Sequence, residues 1–242
     1  MKITQKTDIG KFRRSNQDAC AAGEFPNGMV WAVVCDGMGG ASGGDIASST
    51  SVKLISERLV SSYRDGMSSN SIRHLLFSAI EAANSIVYDM SCSNPELEGM
   101  GTTVVVAFLS GETAYIAHAG DSRAYKISGG MISQLTRDHS MVQEMVENGE
   151  LTPVEAKAHP RKNIITRALG VEETILIDFC EESFNSGDVL LICTDGLTNF
   201  VETDEIIEVV RASEGGEIAE KLVDRANDNG GKDNITVVTV TV

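Results

Sequence analysis

Five aspartates stand where an apolar or β-branched segment meets a turn, and their carboxylates are the groups most able to do chemistry. They are Asp18, Asp36, Asp121, Asp195 and Asp233. Strand ends gather at the rim of a sheet, so these carboxylates could converge, and each would then raise the pKa of its neighbours. A cation relieves that repulsion. Because no histidine or cysteine accompanies the set, the ligands are hard oxygens, which favours Mg²⁺ or Mn²⁺ over Zn²⁺. One such aspartate alone would indicate a turn, whereas the five together predict a metal site.

The segment around Asp36 combines these features most clearly. An apolar run from Met29 to Cys35 ends at the carboxylate, and a glycine cluster follows. From Asp45 onward the apolar residues recur at helical spacing. The pattern predicts a strand over 30–35, a glycine-rich turn whose backbone can approach a ligand, and a helix over 45–62.

Periodicity elsewhere predicts further helices and strands. Apolar positions at helical spacing indicate a buried amphipathic helix over 72–91. Runs rich in β-branched residues, separated by glycine turns, indicate an antiparallel meander. Its strands are expected at 101–109, 113–119, 123–127 and 131–135. Three later strands are expected at 174–179, 189–194 and 235–242, and two later helices at 203–212 and 217–228.

Residues 136–170 differ from the rest in being polar and in containing Pro153 and Pro160, with short helical patches around 141–148 and 153–158. An insertion of this composition between strands is typical of a lid or surface subdomain. No repeat or linker interrupts the chain, so a single domain over 1–242 is predicted. Antiparallel strand groups with paired helices between them predict an α+β layered fold.

Composition excludes several classes of function. The net charge of −15 disfavours binding to nucleic acid or to an anionic membrane, because both need basic patches. The five cysteines are scattered without Cys-x-x-Cys spacing, which disfavours a disulfide framework or a zinc ribbon. The N-terminus lacks an apolar signal core, and no stretch approaches the ~18 apolar residues of a membrane helix. A cytoplasmic location is predicted.

Six short motifs occur along the chain. They are Arg13-x-x-Asn16-Gln17-Asp18, Asp36-Gly37-Met38-Gly39-Gly40, Gly101-Thr102-Thr103, Gly120-Asp121-Ser122-Arg123, Thr194-Asp195-Gly196-Leu197 and Asp233-Asn234. In this order they resemble the metal-dependent protein phosphatases (the PPM family, type 2C), over nearly the whole chain. Two flap segments, His159-Pro160-Arg161-Lys162-Asn163 and Arg167-Ala168-Leu169-Gly170, are similar to the compact bacterial serine/threonine phosphatases of that family.

The resemblance implies two packed, mostly antiparallel β-sheets flanked by helix pairs, which is a four-layer α-β-β-α sandwich. It also implies two metal ions at one rim. Asp36 would bridge them, the Gly37 carbonyl would bind one, and Asp195 and Asp233 would bind the other. Residues 136–170 would form a flap beside this site.

Three further roles follow from the resemblance. Asp18 would hold a metal-bound water molecule without contacting the ion directly. With Asp36 and Arg13, it would be one of the catalytic residues. Arg13 would bind the substrate phosphate, for which a forked guanidinium suits better than an ammonium. Asp121, together with Asp195, would hold a third metal ion.

The implied activity is hydrolysis of phosphomonoesters on protein serine and threonine side chains. A water or hydroxide bridging two Mg²⁺ or Mn²⁺ ions would attack the phosphorus, so no protein nucleophile is needed. The implied partners are phosphorylated proteins, including a bacterial eukaryotic-like serine/threonine kinase and its substrates. A monomer is expected.

The group that protonates the leaving oxygen is left open. Where many members of the family have a histidine, this chain has Met38, and where many bacterial members have one it has Ala41. Metal-bound water is the simplest candidate for the acid and His159 a weaker one. Of the other histidines, His74 and His118 are expected on a helix face and a strand, and His139, like His159, is expected in a solvated flap loop.

Alternative functions fail at specific residues or stay open. A haloacid-dehalogenase-type phosphotransferase needs Asp-x-Asp, but Val34-Cys35 precedes Asp36 and Cys193-Thr194 precedes Asp195. A phosphoprotein-binding pseudophosphatase would have lost part of the aspartate set, which is complete here. A regulatory phosphatase acting on anti-sigma-type partners stays open.

Overall fold

Two antiparallel sheets pack face to face, because their central strands carry apolar side chains on both faces. The computed structural model describes residues 1–213 and 216–242, and of residues 40–42 it describes the helical backbone but not the side chains. The strands are β1 (Lys2–Asp8), β2 (Asp18–Glu24), β3 (Val30–Met38), β4 (Gly101–Thr102), β5 (Val104–Ser110), β6 (Thr113–Ala119), β7 (Arg123–Ser128), β8 (Met131–Gln134), β9 (Asp178–Ser183), β10 (Val189–Cys193) and β11 (Ile235–Thr241). One sheet has the order β1-β11-β10-β7-β8 and the other the order β2-β3-β5-β6-β9, with the short β4 beside β3.

Helices cover the outer faces of the two sheets and form part of residues 136–170. They are α1 (Gly40–Ser62), α2 (Ser69–Ser93), α3 (Met141–Glu147), α4 (Pro153–Ala158), α5 (Asp195–Thr198), α6 (Thr203–Ala212) and α7 (Ile218–Asp228), and a 3₁₀ turn spans Pro95–Leu97. The long helices α1 and α2 pack on the β2–β9 sheet, and α6 and α7 pack on the β1–β8 sheet. The predicted four-layer α+β architecture is confirmed.

The side-chain alternation of the strands divides the core into layers. In β5, Val104 and Val106 pack beneath α1 and α2, whereas Val105 and Ala107 point into the space between the sheets. From the opposite sheet, Leu190 fills the same inter-sheet space. The rigid sandwich built in this way fixes the strand ends that carry the candidate residues.

The expected antiparallel meander over 101–135 is wrong, because the chain passes from one sheet to the other between β6 and β7. Two strands also differ from the prediction in position. The strand expected at 174–179 lies at Asp178–Ser183, where it pairs with β6. Residues 174–177 have an apolar pattern because Ile175 and Ile177 pack against the core beneath α2, not because they join a sheet. The strand β2 has no equivalent in the prediction, since its small residues lack the β-branched signature of a strand.

Glycine allows α1 to begin earlier than predicted, at Gly40 instead of residue 45. The start of this helix packs directly against the end of β3. A Cβ added to Gly37 would lie 2.0 Å from the carbonyl oxygen of Gly44, so a larger residue would push the helix away. The close approach fixes the backbone beside Asp36.

Membrane insertion of a helix finds no support in the described part of the chain. None of the helices there combines the length and the apolar character that a crossing requires.

Candidate active site

Antiparallel pairing brings the predicted aspartates to one rim of the sandwich. In the pairing of β2 with β3, Asp18 lies opposite Asp36. In the other sheet the last residue of β10, Cys193, pairs with Arg123 at the start of β7 and with Val237 near the start of β11. The segments that precede β7 and β11 and the segment that follows β10 therefore share an edge, and they carry the remaining three aspartates.

A cavity of about 410 Å³ opens at this rim. Its lining consists of Arg13, Gln17, Asp36, Gly37, Met38, Gly39, Thr103, Asp121, Asn163, Ile165, Asp195, Asp233 and Asn234. Six of these lining residues were predicted to bind metal or substrate. They are the four aspartates, Arg13 and Gly37. The structure thus brings together all the predicted residues except Asp18 on one surface.

The carboxylates of the cavity raise one another's pKa. Burial, followed by the charges of Asp18 and Asp195, raises the pKa of Asp36 well above its usual range. Burial and the charge of Asp195 raise the pKa of Asp121 to about 7. For Asp195 itself, burial and then Asp233 raise the pKa. Added positive charge would stabilise the anionic form of this group of partly buried carboxylates.

Asp18 lies behind the cavity instead of lining it. The residue is 8% exposed, and its Oδ2 accepts a hydrogen bond of 2.9 Å from Thr194 Oγ1. Its Oδ1 is buried without a hydrogen-bond partner. Burial raises the pKa of Asp18 to about 7. A buried carboxylate oxygen without a partner, on a residue that also feels the charges of Asp195 and Asp233, fits a nearby divalent cation and its water. The donor set is therefore suited to Mg²⁺ or Mn²⁺.

Arg13 lies on the cavity wall in an ion pair. Its Nη2 donates to Asp233 Oδ2 at 2.7 Å, and half of the side chain remains exposed. This hydrogen bond raises the pKa of Arg13. The guanidinium supplies positive charge to a cavity whose other charged lining groups are carboxylates.

Two neighbouring threonines fix the main chain at Asp36. The N–H of Asp36 donates to Thr103 Oγ1 at 2.9 Å, and Thr102 Oγ1 donates to the carbonyl of Asp36 at 2.9 Å. The N–H of Thr103 donates to the same carbonyl at 2.8 Å. The Gly101-Thr102-Thr103 motif therefore positions the central carboxylate, a role that the sequence did not assign.

Asn234 holds the loop that carries Arg13. Its Nδ2 donates to the carbonyls of Ile9 and Ser15, at 2.9 and 3.0 Å, and its Oδ1 accepts from the N–H of Gln17 at 2.8 Å. The motif Asp233-Asn234 thus combines a cavity carboxylate with a side chain that organises the facing loop. The position of Asn234 in the motif was the only sequence signal of this role.

The flap, residues 136–170, contacts the acidic cluster through Asn199. Asn199 Nδ2 donates to Asp195 Oδ2 at 2.9 Å, and its Oδ1 accepts from Lys162 Nζ at 2.8 Å. Asn163 and Ile165 of the flap line the cavity. Sequence reasoning missed Asn199, which has no distinctive neighbours in the chain.

None of the described residues lining the cavity is a histidine. Met38 lines it, the side chain of Ala41 lies outside the described residues, and the Nδ1 of His159 accepts a hydrogen bond from the N–H of Arg161 in a local turn. The prediction for His139 is wrong, because this residue is fully buried instead of lying in a solvated loop. Its ring stacks on that of His118 with centroids 4.8 Å apart.

Comparison with known proteins identifies the family. Residues 13–227 match the family model described as protein phosphatase 2C. The chain belongs to the protein phosphatase 2C family. It is 38% identical over 236 residues to the serine/threonine phosphatase stp of Listeria monocytogenes, covering 97% of this chain and 93% of the relative. It is also 38% identical over 243 residues to the protein phosphatase PhpP of Streptococcus pneumoniae, covering 100% and 98%.

Solved structures of the family share the fold of this phosphatase. The serine/threonine phosphatase of S. agalactiae superposes with a TM-score of 0.92 at 35% identity, covering 99% of this chain and 98% of that one. The catalytic domain of the serine/threonine protein phosphatase PstP, in complex with two manganese ions, superposes with a TM-score of 0.86 at 32% identity, covering 98% and 96%. The predicted family and enzyme class, a protein phosphatase, are confirmed.

Proposed function

We propose that the protein removes phosphate from serine and threonine side chains of other proteins, with Mn²⁺ or Mg²⁺ as cofactor. One observation carries this proposal: four carboxylates and an arginine line a single open cavity at the rim of the sandwich. Two cations would be held by Asp36, the Gly37 carbonyl, Asp195 and Asp233. The PstP catalytic domain, which was solved with two manganese ions, has the same fold. A third, weaker ion would be held by Asp121 and Asp195.

Each side chain contributes a separate part of the reaction. A pair of divalent cations, when bound, lowers the pKa of water and neutralises charge on the phosphate. Asp18, with one oxygen fixed by Thr194 and the other free, orients water toward the cavity. Arg13 presents a fork that matches two phosphate oxygens. The oxygen of water forms a bond to phosphorus and gives up a proton to solvent while the ester P–O bond breaks. The leaving serine or threonine oxygen takes up a proton.

The source of that proton is proposed to be solvent. The described lining residues include no histidine, and Met38 cannot transfer a proton. The cavity is open, so water reaches the leaving oxygen directly. This differs from members of the family that have a histidine in the glycine motif.

The proposed activity implies the kind of partner. We propose phosphorylated proteins as substrates, with a serine/threonine kinase and its targets as the natural set. The protein would act as a monomer, with residues 1–242 forming one catalytic domain.

All five cysteines are unpaired, which is typical of proteins in a reducing compartment and favours a cytoplasmic location.

Hydrolysis of phosphopeptides by metal-stripped and reconstituted protein tests the proposal. The stripped protein should be inactive, and either Mn²⁺ or Mg²⁺ should restore turnover of phosphoserine and phosphothreonine peptides. Phosphotyrosine should be a poorer substrate. Turnover that persists without metal, or a marked preference for phosphotyrosine, would contradict the proposed function.

A further inference from the structure

His139 joins the flap to the turn that carries Asp121. Its main-chain N–H donates to the carbonyl of Gly120 at 2.9 Å, and the N–H of Gly120 donates to His139 Nδ1 at 3.1 Å. On the other side, the carbonyl of His139 accepts from the N–H of Thr166 at 2.8 Å. One residue therefore satisfies both main-chain polar groups of Gly120 and also pairs the two arms of the flap.

The turn depends on this support because the sheet does not provide it. The strand β6 ends at Ala119 and β7 begins at Arg123, so Gly120 lies outside both ladders. Its φ is +111°, and an added Cβ would lie 2.6 Å from the side chain of Thr103. Gly120 is thus pressed against a residue that itself holds the main chain of Asp36. The direction of the adjacent Asp121 side chain follows from how this turn is held.

The hydrogen bonds also specify the tautomer of His139. Because Gly120 donates into Nδ1, that nitrogen carries the lone pair and the proton lies on Nε2. The Nε2–H is then directed at Asp178 Oδ2, 3.2 Å away. Arg167 Nη1 lies 3.2 Å from Nε2, but a neutral ring has one lone pair and Gly120 already donates to it. We therefore assign Nη1 as a donor to Asp178 Oδ1, 2.8 Å away, so the carboxylate receives two donors. Burial lowers the pKa of His139 and so favours this neutral ring.

A metal ion bound by His118, His139 and Asp178 is the competing explanation for the arrangement of these side chains. One ligand atom from each of His118, His139 and Asp178 lies within 4.8 Å of the others. His118 Nε2 bonds to the carbonyl of Arg137, which leaves its Nδ1 buried and without a partner. However, metal binding at His139 Nε2 would require the proton on Nδ1, where Gly120 already donates. Asp178 also has a cationic partner already, the guanidinium of Arg167, so it does not need a metal ion to balance its charge.

We propose that His139 is a positioning residue, which acts as an Nδ1 acceptor to fix the Gly120–Asp121 turn and so aims the Asp121 carboxylate at Asp195. The inference rests on the proposed function, since it assigns to this turn a part in phosphate ester hydrolysis. It predicts that turnover depends on the hydrogen bond to Gly120 more than on the contact with Asp178.

Two substitutions separate these contacts. In His139→Asn the amide oxygen lies close to where Nδ1 was and can accept from Gly120, whereas the contact with Asp178 is lost. In His139→Gln the amide reaches the position of Nε2 and can contact Asp178, whereas the acceptor for Gly120 is lost. We expect kcat to fall about tenfold or more in His139→Gln and to stay within about threefold of wild type in His139→Asn. In both variants KM for the phosphopeptide should change little.

The matched controls are His74→Asn and His74→Gln, on the exposed face of α2. Both should have the kcat of the wild-type protein. Mg²⁺ titration followed by calorimetry should show that the weakest site is lost in His139→Gln and kept in His139→Asn. Equal loss of kcat in the two His139 variants, or no loss in either, would overturn the proposal.

A measurement on the metal-free wild-type protein is independent of activity. The ¹⁵N chemical shifts of the His139 ring should identify an Nε2–H tautomer, and the Gly120 amide should exchange slowly with solvent. An Nδ1–H tautomer, or Zn²⁺ binding at His139 Nε2, would overturn the proposal even where neither variant folds. If the wild-type protein fails to hydrolyse phosphopeptides while the tautomer is as expected, the proposed function fails and the structural role of His139 stands.

Discussion

Arg13 and Asp233, 220 positions apart in the chain, are joined by a hydrogen bond of 2.7 Å from Nη2 to Oδ2. The residue expected to bind phosphate is thus paired with a residue expected to bind metal. A cation bound by Asp233 competes with the guanidinium for the same carboxylate. The fork of Arg13 would then be free to turn toward a phosphate in the cavity.

Replacement of Arg13 tests this relationship. Arg13→Ala should raise KM for a phosphopeptide roughly 10- to 100-fold, because one charged hydrogen-bonding group contributes on the order of 1.5–3 kcal/mol. Metal affinity should not weaken, since Asp233 loses a competitor. Arg13→Lys should restore binding only in part, because the bidentate geometry is lost. Steady-state kinetics and calorimetry measure both quantities, with the exposed neighbour in Arg14→Ala as the control; an unchanged KM would place Arg13 outside the phosphate site.

Asp36 should be indispensable for metal binding. In Asp36→Asn the central carboxylate is replaced by a neutral amide of the same shape, so the tight cation sites should weaken strongly and turnover should fall by orders of magnitude. Asp89→Asn, at an exposed position of α2, removes the same charge far from the cavity and serves as the control. Wild-type Mn²⁺ affinity together with a wild-type rate in Asp36→Asn is the result that would refute the assignment.

Asp121 should hold a weaker ion than the other carboxylates. Asp121→Ala should keep two tight sites, lose the weak one, and lower kcat much more than it raises KM. If Asp121 only stabilises its turn, the variant should melt at a lower temperature and have a normal rate per folded molecule. Titration of Mn²⁺ while rate and melting temperature are followed separates these outcomes, and an unchanged kcat at saturating Mn²⁺ would end the third-ion proposal.

The stability of the metal-free protein should fall as pH rises. The pKa values of Asp18 and Asp121 are raised from 3.8 to about 7, so between these values the folded state binds more protons than the unfolded state. Stability is then highest at the acidic end of this window and is lost as pH rises toward 7. We expect Tm to drop by roughly 5 °C or more from pH 5 to pH 7.5, where about 1 kcal/mol corresponds to roughly 2–4 °C.

The same protons compete with metal ions. Saturating Mg²⁺ should remove most of this pH dependence, and Mg²⁺ affinity should rise with pH across the window. Asp121→Asn should flatten the Tm profile of the metal-free protein, because one of the raised carboxyl groups is gone. A Tm that rises with pH in the metal-free protein would show that these carboxylates are not held protonated.

The sequence by itself determined the family, the layered α+β architecture, and the carboxylates and arginine that line the cavity. These features are local, because a β-branched run predicts a strand and an aspartate followed by glycine at its end predicts a turn at the sheet rim. The order of the six motifs along the chain indicated the family. Whether the cavity residues have their expected roles stays a prediction, as does the single domain.

Only the tertiary structure decided which neighbours those residues have. The strand near residue 175 was misplaced because Ile175 and Ile177 pack against a helix-covered core, and period-two apolarity does not distinguish this from pairing in a sheet. His139 was expected in solvent because its neighbours in the chain are polar, yet it is buried, with its ring stacked on His118 of β6 and its main chain bonded to the far arm of the flap. Burial, the pairing of Arg13 with Asp233 and the tautomer of a histidine all arise from contacts between residues distant in the chain, which no local pattern encodes.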